Sequence, residues 1–302
     1  MTGGTGFVGK ALVGQLITFG YNVRMLVRSK TNKFLPSSSN VEVVEGDITS
    51  SDDVSRAMKG CSIVFNVAAR YIFYPFWEKE AKALYDVNVE GTINMLNSAL
   101  EHGVKRFIHT STIATIGRRS DGQPSNEDTE FDSKRADHYA CSKYLAEQEV
   151  FKYCKKGLPA ITLNPAIVFG VGDHKPTPSG EIICNFLNQS YPGYFETLWA
   201  FADVGDVARA HIAAINRGRI GERYIICDKR HYSMKEIFGL LEDISGIKAP
   251  QIKIPFPLLM AYVYSDEFFS RAILKKKPLM PVEGVKFCKN SITYDSSKAA
   301  RE

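Results

Sequence analysis

Thr2-Gly3-Gly4-Thr5-Gly6-Phe7-Val8-Gly9 places three glycines at three-residue spacing just ahead of an amphipathic segment. That is the make-up of a phosphate-binding turn at a helix N-terminus. Gly3 suits a tight turn, Gly6 lets backbone N–H groups approach a pyrophosphate without a Cβ in the way, and Gly9 lets the following helix lie close to a sheet. The string fits two registers, Gly4-x-Gly6-x-x-Gly9 and Gly3-x-x-Gly6-x-x-Gly9. The glycines alone therefore leave the family open, and an ordinary glycine turn is the competing reading. In a doubly wound sheet such a loop follows a buried strand, yet only Met1 precedes Thr2. The first strand is expected to be missing, and its loss is expected to expose apolar faces on both neighbouring strands.

Working outward, Val8, Leu12, Val13, Leu16 and Phe19 recur near a helical period and Gly20 follows, which predicts a helix over 8–19. A β-rich run over 22–27 ends at Arg28, about 20 residues past the glycines, where a dinucleotide fold chooses its cofactor. An acid there would bind the ribose hydroxyls. An arginine suits a 2′-phosphate, with Ser29, Lys30 and Lys33 as helpers, and a solvent-facing arginine at a strand end is the plainer alternative. A third strand over 41–45 leads to Gly46-Asp47-Ile48, where Asp47 is placed to cap an adenine amino group or the helix expected over 51–59. A buried strand over 62–67 opens into small residues, Ala68 and Ala69, that admit a flat ring or merely pack tightly. The aromatic run 71–77 reads equally as a core flap or a substrate wall.

A long helix is expected over 78–102 with Asn88 in its middle, a polar side chain that wants a partner in an adjacent strand's backbone. A strand over 104–109 ends in Thr110-Ser111-Thr112, hydroxyls at the edge where parallel sheets bind ligands. After a polar loop, a helix over 133–156 sets Tyr139 and Lys143 on one face. With 14 tyrosines, one such spacing is expected by chance, and Tyr294 with Lys298 is a second instance. Context separates them, because Tyr139 lies 27 residues after Thr112, within reach of the strand end. A strand over 159–164 precedes a change to Pro/Gly-rich rhythm, and a strand over 223–227 after a helix over 206–216 looks like a return to the sheet. The expected organisation is α/β: a Rossmann-type doubly wound parallel sheet over 1–164, with 203–227 returning to it, and a smaller interleaved C-terminal lobe over 165–302 for substrate.

The composition excludes several classes. With 302 residues and 44% hydrophobic content the chain can bury a large core. A net charge of +5 from scattered basic residues implies no nucleic-acid partner, and Lys275-Lys276-Lys277 is most simply a solvated helix end. Six cysteines show no metal-ligand spacing and read as thiols of a reducing, cytoplasmic compartment, so no metal is expected. The longest apolar stretch, 254–264, holds two prolines and is too short to span a membrane.

A nucleotide loop, a hydroxyl at a strand end and a Tyr/Lys pair are the parts needed to interconvert a carbonyl and an alcohol. A tyrosine with an ordinary pKa of about 10 is a poor base at neutral pH. An ammonium about 4 to 5 Å away would favour phenolate by roughly 3 to 4 kcal/mol at an effective dielectric near 20. Thr112 would then hold the substrate oxygen against Tyr139, with Lys143 also gripping the nicotinamide ribose.

These residues resemble the extended short-chain dehydrogenase/reductase family, also described as the NAD-dependent epimerase/dehydratase family. The likeness rests on Thr2 to Gly9, Gly46-Asp47, Asn88-Val89-Glu90-Gly91-Thr92, Thr110-Ser111-Thr112, Tyr139-Ala140-Cys141-Ser142-Lys143 and Asn164-Pro165-Ala166-Ile167-Val168-Phe169-Gly170. Within it the chain looks most like the dihydroflavonol-4-reductase-like and hopanoid-associated sugar epimerase-like branch. The resemblance implies Thr112, Tyr139 and Lys143 as catalytic residues, with Thr112 keeping the hydroxyl of the commoner serine, and Asn88 as a structural fourth member. It implies cofactor contacts from Gly3, Thr5, Gly6, Phe7, Val8, Gly9, Arg28, Asp47, Ile48, Ala68, Ala69, Tyr139, Lys143, Asn164, Ala166 and Val168. The expected cofactor is NADP(H), with NAD(H) as the alternative, and the expected substrate a mainly apolar ketone, aldehyde or alcohol. A nucleotide-sugar epimerase or dehydratase with tightly held NAD, and a non-catalytic NAD(P)-binding regulator, are the competing functions. The resemblance also implies a homodimer through the helices around 78–102 and 133–156.

Overall fold

The computed structural model describes residues 1–72, 78–134, 136–275, 282, 285–286 and 292–302. Parallel pairing dominates. β1 (Val23–Val27) pairs with β2 (Val41–Glu45), while β3 (Ile63–Asn66), β4 (Arg106–Thr110), β5 (Ala160–Pro165) and β8 (Arg223–Ile226) run side by side in that order. A second, three-stranded sheet joins β6 (Ile167–Phe169), β7 (Leu198–Asp203) and β9 (His231–Ser233), with β7 and β9 antiparallel.

Between β1 and β3 stands a single residue, Thr2, bridged in parallel to Leu26 on one side and Asn66 on the other. Its N–H donates to the Phe65 carbonyl at 3.0 Å, and the Leu26 N–H donates to the Met1 carbonyl at 2.9 Å. No longer strand lies there among the described residues, as the loop's position in the sequence implies. The expected exposure of the neighbouring strands does not follow. Leu26 and Val64 are buried because α2 (Ser51–Met58) and α4 (Gly91–Glu101) press Val54, Met58 and Met95 against them.

The two faces of the sheet carry separate cores. On one, α2, α4 and α5 (His138–Lys155) pack over Phe107, Leu96 and Val150. On the other, α1 (Phe7–Thr18) and α7 (Val204–Ala213) lie together over Met25, Ile108 and Ile161. Each such fully buried side chain contributes about 1.5 to 3 kcal/mol of hydrophobic free energy. A third core joins α6 (Pro178–Leu187), α8 (Met234–Ser245) and α9 (Phe256–Phe269) to the second sheet through Phe186, Phe238 and Val263.

Two expected helices differ in outline. The span 78–102 is α3 (Glu78–Tyr85), a π-helical turn over Asp86–Glu90, then α4. The wide turn brings Asn88 into the interior, where it is 1% exposed. The span 133–156 starts only at His138, because the Asp137 carboxylate accepts the Ala140 N–H at 2.7 Å and caps the first turn. The remaining strand and helix limits shift by one to three residues, as frayed ends do.

One histidine without sequence context proves to be structural. His211 on α7 is fully buried, its Nδ1 2.7 Å from the Val207 carbonyl and its Nε2 2.7 Å from the Thr110 hydroxyl. Nδ1–H therefore donates, and in the neutral ring that burial favours Nε2 accepts from the hydroxyl. Burial lowers its pKa to about 4. Below pH 6.5 the unfolded chain takes up a proton that the folded ring refuses, so stability falls as pH drops from 6.5 toward 4. His211 should account for up to about 3 kcal/mol of that loss. Urea titrations of the wild type and His211→Gln should show a shallower acid decline in the variant, and parallel pH curves would contradict the assignment.

Candidate active site

The glycine turn is built as its spacing implies. Gly3 has φ of +70°, and a Cβ there would come within 2.6 Å of the Ala68 nitrogen just past β3. A Cβ on Gly9 would lie 2.0 Å from the Gly3 carbonyl oxygen, so only glycine permits this closeness of helix and turn. Gly6 is the N-cap of α1 and offers no side chain, and the first turn holds no acid. The N–H groups of Phe7, Val8 and Gly9 thus open α1 as an uncapped positive helix end. The Thr2 hydroxyl steadies the turn from behind, accepting the Ala68 N–H at 3.1 Å and donating to Asn66 Oδ1 at 2.9 Å.

These features fit a dinucleotide phosphate. Arg28, just beyond β1, is exposed and makes no ion pair or side-chain hydrogen bond among the described residues. Ala69 is exposed at the same edge and Ala68 half-buried. Beside the turn, Lys10 Nζ lies 2.7 Å from His174 Nε2, and the His174 ring stacks on Phe34 with centroids 5.3 Å apart. His174 comes from the loop after β6, so this contact joins the C-terminal part of the chain to the loop after β1. A cavity of about 250 Å³ opens beside it, between Phe7 and the segment Phe169, Gly170, Asp173 and Ile183.

Five other expected cofactor contacts are engaged within the protein itself. Asp47 accepts the Thr49 N–H at 2.9 Å and the Thr49 hydroxyl at 2.8 Å, closing its own turn, while Ser50 caps α2. Ile48 is buried under Gly91, where a Cβ would meet it at 2.9 Å. Asn164 is fully buried, its amide donating to the Thr112 carbonyl, the Thr115 hydroxyl and Glu147 at 3.1, 3.0 and 2.9 Å. Ala166 is buried and Val168 half-buried in the cluster around Val207.

Thr112, Tyr139 and Lys143 come together beyond the end of β4. The Thr112 hydroxyl accepts the Ala114 N–H at 3.2 Å and lies close enough to the Tyr139 phenol to favour its ionised form. One turn along α5, Lys143 is 2% exposed and donates from Nζ to the Thr110 carbonyl at 2.6 Å. Its desolvation lowers the ammonium pKa to about 8, with Glu147 pulling the other way. The expected lowering of the tyrosine does not occur in this geometry. Burial pushes the Tyr139 phenol up, Asp137 adds to that, and only the Thr112 hydroxyl pulls it down. The lysine is spent on a carbonyl instead. Tyr71 meets Tyr139 edge-on with centroids 4.6 Å apart, and the rest of the aromatic run, 73–77, lies outside the described residues.

Asn88 touches none of these hydroxyls in a reacting position. Its Oδ1 accepts the Arg70 N–H at 2.7 Å, and its Nδ2 donates to the Arg70 carbonyl at 3.0 Å and the Ser142 hydroxyl at 2.9 Å. The expected strand partner is thus the chain just past β3, fastened to α5. The decoy pair is separate: Tyr294 is buried in an apolar cluster, and Lys298 pairs with Glu222 at 2.7 Å.

Sequence reasoning missed the anchor of α5. Glu147, four residues after Lys143, is fully buried and pairs with Arg223 of β8 at 2.8 Å while accepting from Thr115 and Asn164. Its spacing from Lys143 was the available signal, since i and i+4 share a helix face.

The sequence profile of the NAD dependent epimerase/dehydratase family matches residues 1–227. A protein of Synechocystis sp. assigned as a dihydroflavonol 4-reductase is 38% identical over the whole chain and 88% of its own length. The 3 beta-hydroxysteroid dehydrogenase type 7 of Mus musculus is 30% identical over the whole chain and 89% of its own length. The crystal structure of gox2253 superposes with a TM-score of 0.85 at 36% identity, covering the whole chain and 90% of that structure. The glycine turn at an uncapped helix end, the hydroxyls gathered beyond β4 and these likenesses have one explanation: the chain belongs to the NAD dependent epimerase/dehydratase family and is an NAD(P)-dependent oxidoreductase of the extended short-chain dehydrogenase/reductase type.

Proposed function

We propose that the protein is an NADP(H)-preferring reductase of a mainly apolar ketone or aldehyde, dihydroflavonol-reductase-like, acting through Thr112, Tyr139 and Lys143. The observation that carries this reading is the gathering of Thr112, Tyr139 and Lys143 beyond the end of β4, with the Thr112 hydroxyl acting on the Tyr139 phenol and the Lys143 ammonium held one turn away. The nicotinamide supplies or accepts the hydride when bound. Thr112 positions the substrate oxygen, and Tyr139, kept protonated by its raised pKa, delivers the phenolic proton to that oxygen as charge develops. Lys143 is charged below about pH 8 and stabilises the phenolate left behind. Gly3, Thr5, Gly6, Phe7, Val8 and Gly9 hold the pyrophosphate, and Arg28 the 2′-phosphate.

The substrate class rests on Tyr71 against Tyr139 and on the names of the relatives, a flavonoid reductase and a steroid dehydrogenase. Among the described residues no lysine or arginine lines the cavity beside Phe7, which disfavours a sugar diphosphate there. A homodimer through α3, α4 and α5 belongs to the same reading, since Leu100 and Leu145 face outward on those helices. A monomeric mass by light scattering at micromolar concentration would remove it.

Arg28→Asp should cost one to two decades in NADPH affinity, because a charge-assisted contact contributes about 1.5 to 3 kcal/mol, and should reverse the preference toward NADH. Equal wild-type affinity for both cofactors by fluorescence titration would sink the assignment.

Tyr139→Phe keeps the ring and its packing but removes the proton donor. With aromatic and isoprenoid carbonyls run beside UDP-sugars, kcat on the best substrate should fall at least about 100-fold while the cofactor Kd moves only a few-fold. Tyr294→Phe should leave kcat within about two-fold. Undiminished turnover with Phe at position 139 would end the proposed chemistry, and turnover of the UDP-sugars alone would replace reduction by epimerisation.

A further inference from the structure

Lys143 carries its charge where a charge is expensive. It is 2% exposed, and its hydrogen bond among the described residues goes to a neutral acceptor, the Thr110 carbonyl at 2.6 Å. An ammonium so placed keeps its proton only when an opposite charge stands near it. The titratable groups about it are Tyr139 and Glu147 on α5, His109 on β4, kept neutral chiefly by burial, and Arg223 of β8, which is paired with Glu147. β5 and the turn Ile113–Thr115 carry no charge, and no charged side chain of α3, the π-helical turn or α4 is buried. The opposite charge is therefore Glu147, one helical turn on, on the same face and fully buried. It works against the desolvation that brings the ammonium down to about 8.

The same carboxylate reaches Thr112 by another route. Glu147 Oε2 accepts the Asn164 amide at 2.9 Å and the Thr115 hydroxyl at 3.1 Å. Both of these groups also bond the Thr112 carbonyl, at 3.1 and 2.9 Å. Oε1 meanwhile accepts from Arg223 at 2.8 Å, which fixes the plane of the carboxylate. With both oxygens engaged inside the fold, Glu147 serves the chemistry through its neighbours rather than by touching a ligand. We propose, on the roles given above to Thr112, Tyr139 and Lys143, that Glu147 is a positioning residue of the reaction: it holds Thr112 through Asn164 and Thr115, and it keeps Lys143 charged.

Glu147→Gln alone would leave Arg223 without its partner, so both charges are removed together in Glu147→Gln with Arg223→Met, a replacement that buried ion pairs commonly tolerate. The first readout needs no turnover. In protein carrying isotope-labelled lysine, without cofactor, the Lys143 side-chain NMR signal is identified by its loss in Lys143→Met. It should titrate near pH 8 in the wild type and about one pH unit lower in the double variant. The alkaline limb of kcat/KM should move down with it, because the neutral amine no longer stabilises the phenolate. Thr115→Val removes one hold on Thr112 and leaves the Glu147 charge in place, so kcat should fall at least about three-fold with the limb unmoved. Should the double variant fail to fold, Thr115→Val still decides. An unmoved Lys143 titration in the folded double variant, or kcat within about two-fold of wild type in Thr115→Val, would overturn the proposal. Undiminished turnover in Tyr139→Phe together with a lowered Lys143 titration would remove the reductase chemistry and leave the action of Glu147 on Lys143 supported.

Discussion

The two halves of the parallel sheet are held together by one residue. Thr2 is bridged to both sides, but the bonds are divided: its N–H donates to Phe65 and its hydroxyl joins Asn66 to Ala68 on the β3 side, while the Met1 carbonyl accepts the Leu26 N–H on the β1 side. The glycine turn begins on the next residue, so the register of the sheet and the direction of α1 are set by the same contacts. Asn66 passes the constraint on, reaching Thr92 at 3.2 Å and His109 at 3.3 Å. Asn66, His109, Thr162 and Arg223 are paired in register across β3, β4, β5 and β8, forming a polar row next to the apolar row of Phe65, Ile108 and Ile161.

That row ends in the buried pair of Glu147 and Arg223, which fastens α5 to the sheet. Breaking such a pair by removing one partner typically costs about 3 to 5 kcal/mol, because the other charge is left buried and uncompensated. The same helix carries Tyr139 and Lys143, so the pair determines where the phenol and ammonium stand relative to β4. Arg223 also donates to the Glu127 and Thr129 carbonyls at 2.7 and 3.2 Å, which holds the polar loop ahead of α5. His109 is kept neutral in this setting, chiefly by burial and then by the nearby Lys143 charge. Polar groups are concentrated where position matters to the chemistry, and apolar packing supplies the bulk of the stability around them.

The C-terminal part of the chain follows a different economy. Its core of Phe186, Phe238 and Val263 is built from helices around a small sheet, and α9 contributes one face to it and leaves the other apolar to the outside. The His174 and Phe34 stack then ties this part back to the nucleotide turn.

Local signals in the chain were enough to determine the glycine turn, the alternation of strands and helices, and the Tyr139 and Lys143 spacing. Each depends on a backbone conformation or a helical period, which neighbouring residues encode. Position across the fold was not legible. Asn164 and Ile48 sit in motifs that suggested cofactor contact, yet Asn164 is fully enclosed by Thr112, Thr115 and Glu147, and Ile48 lies under Gly91, facts that arise from strands and helices distant in sequence. The Tyr139 acidity likewise depends on where the Lys143 ammonium lands. Spacing places the two on one helix face, but the Thr110 carbonyl captures the ammonium, and only the packing of α5 against β4 decides that.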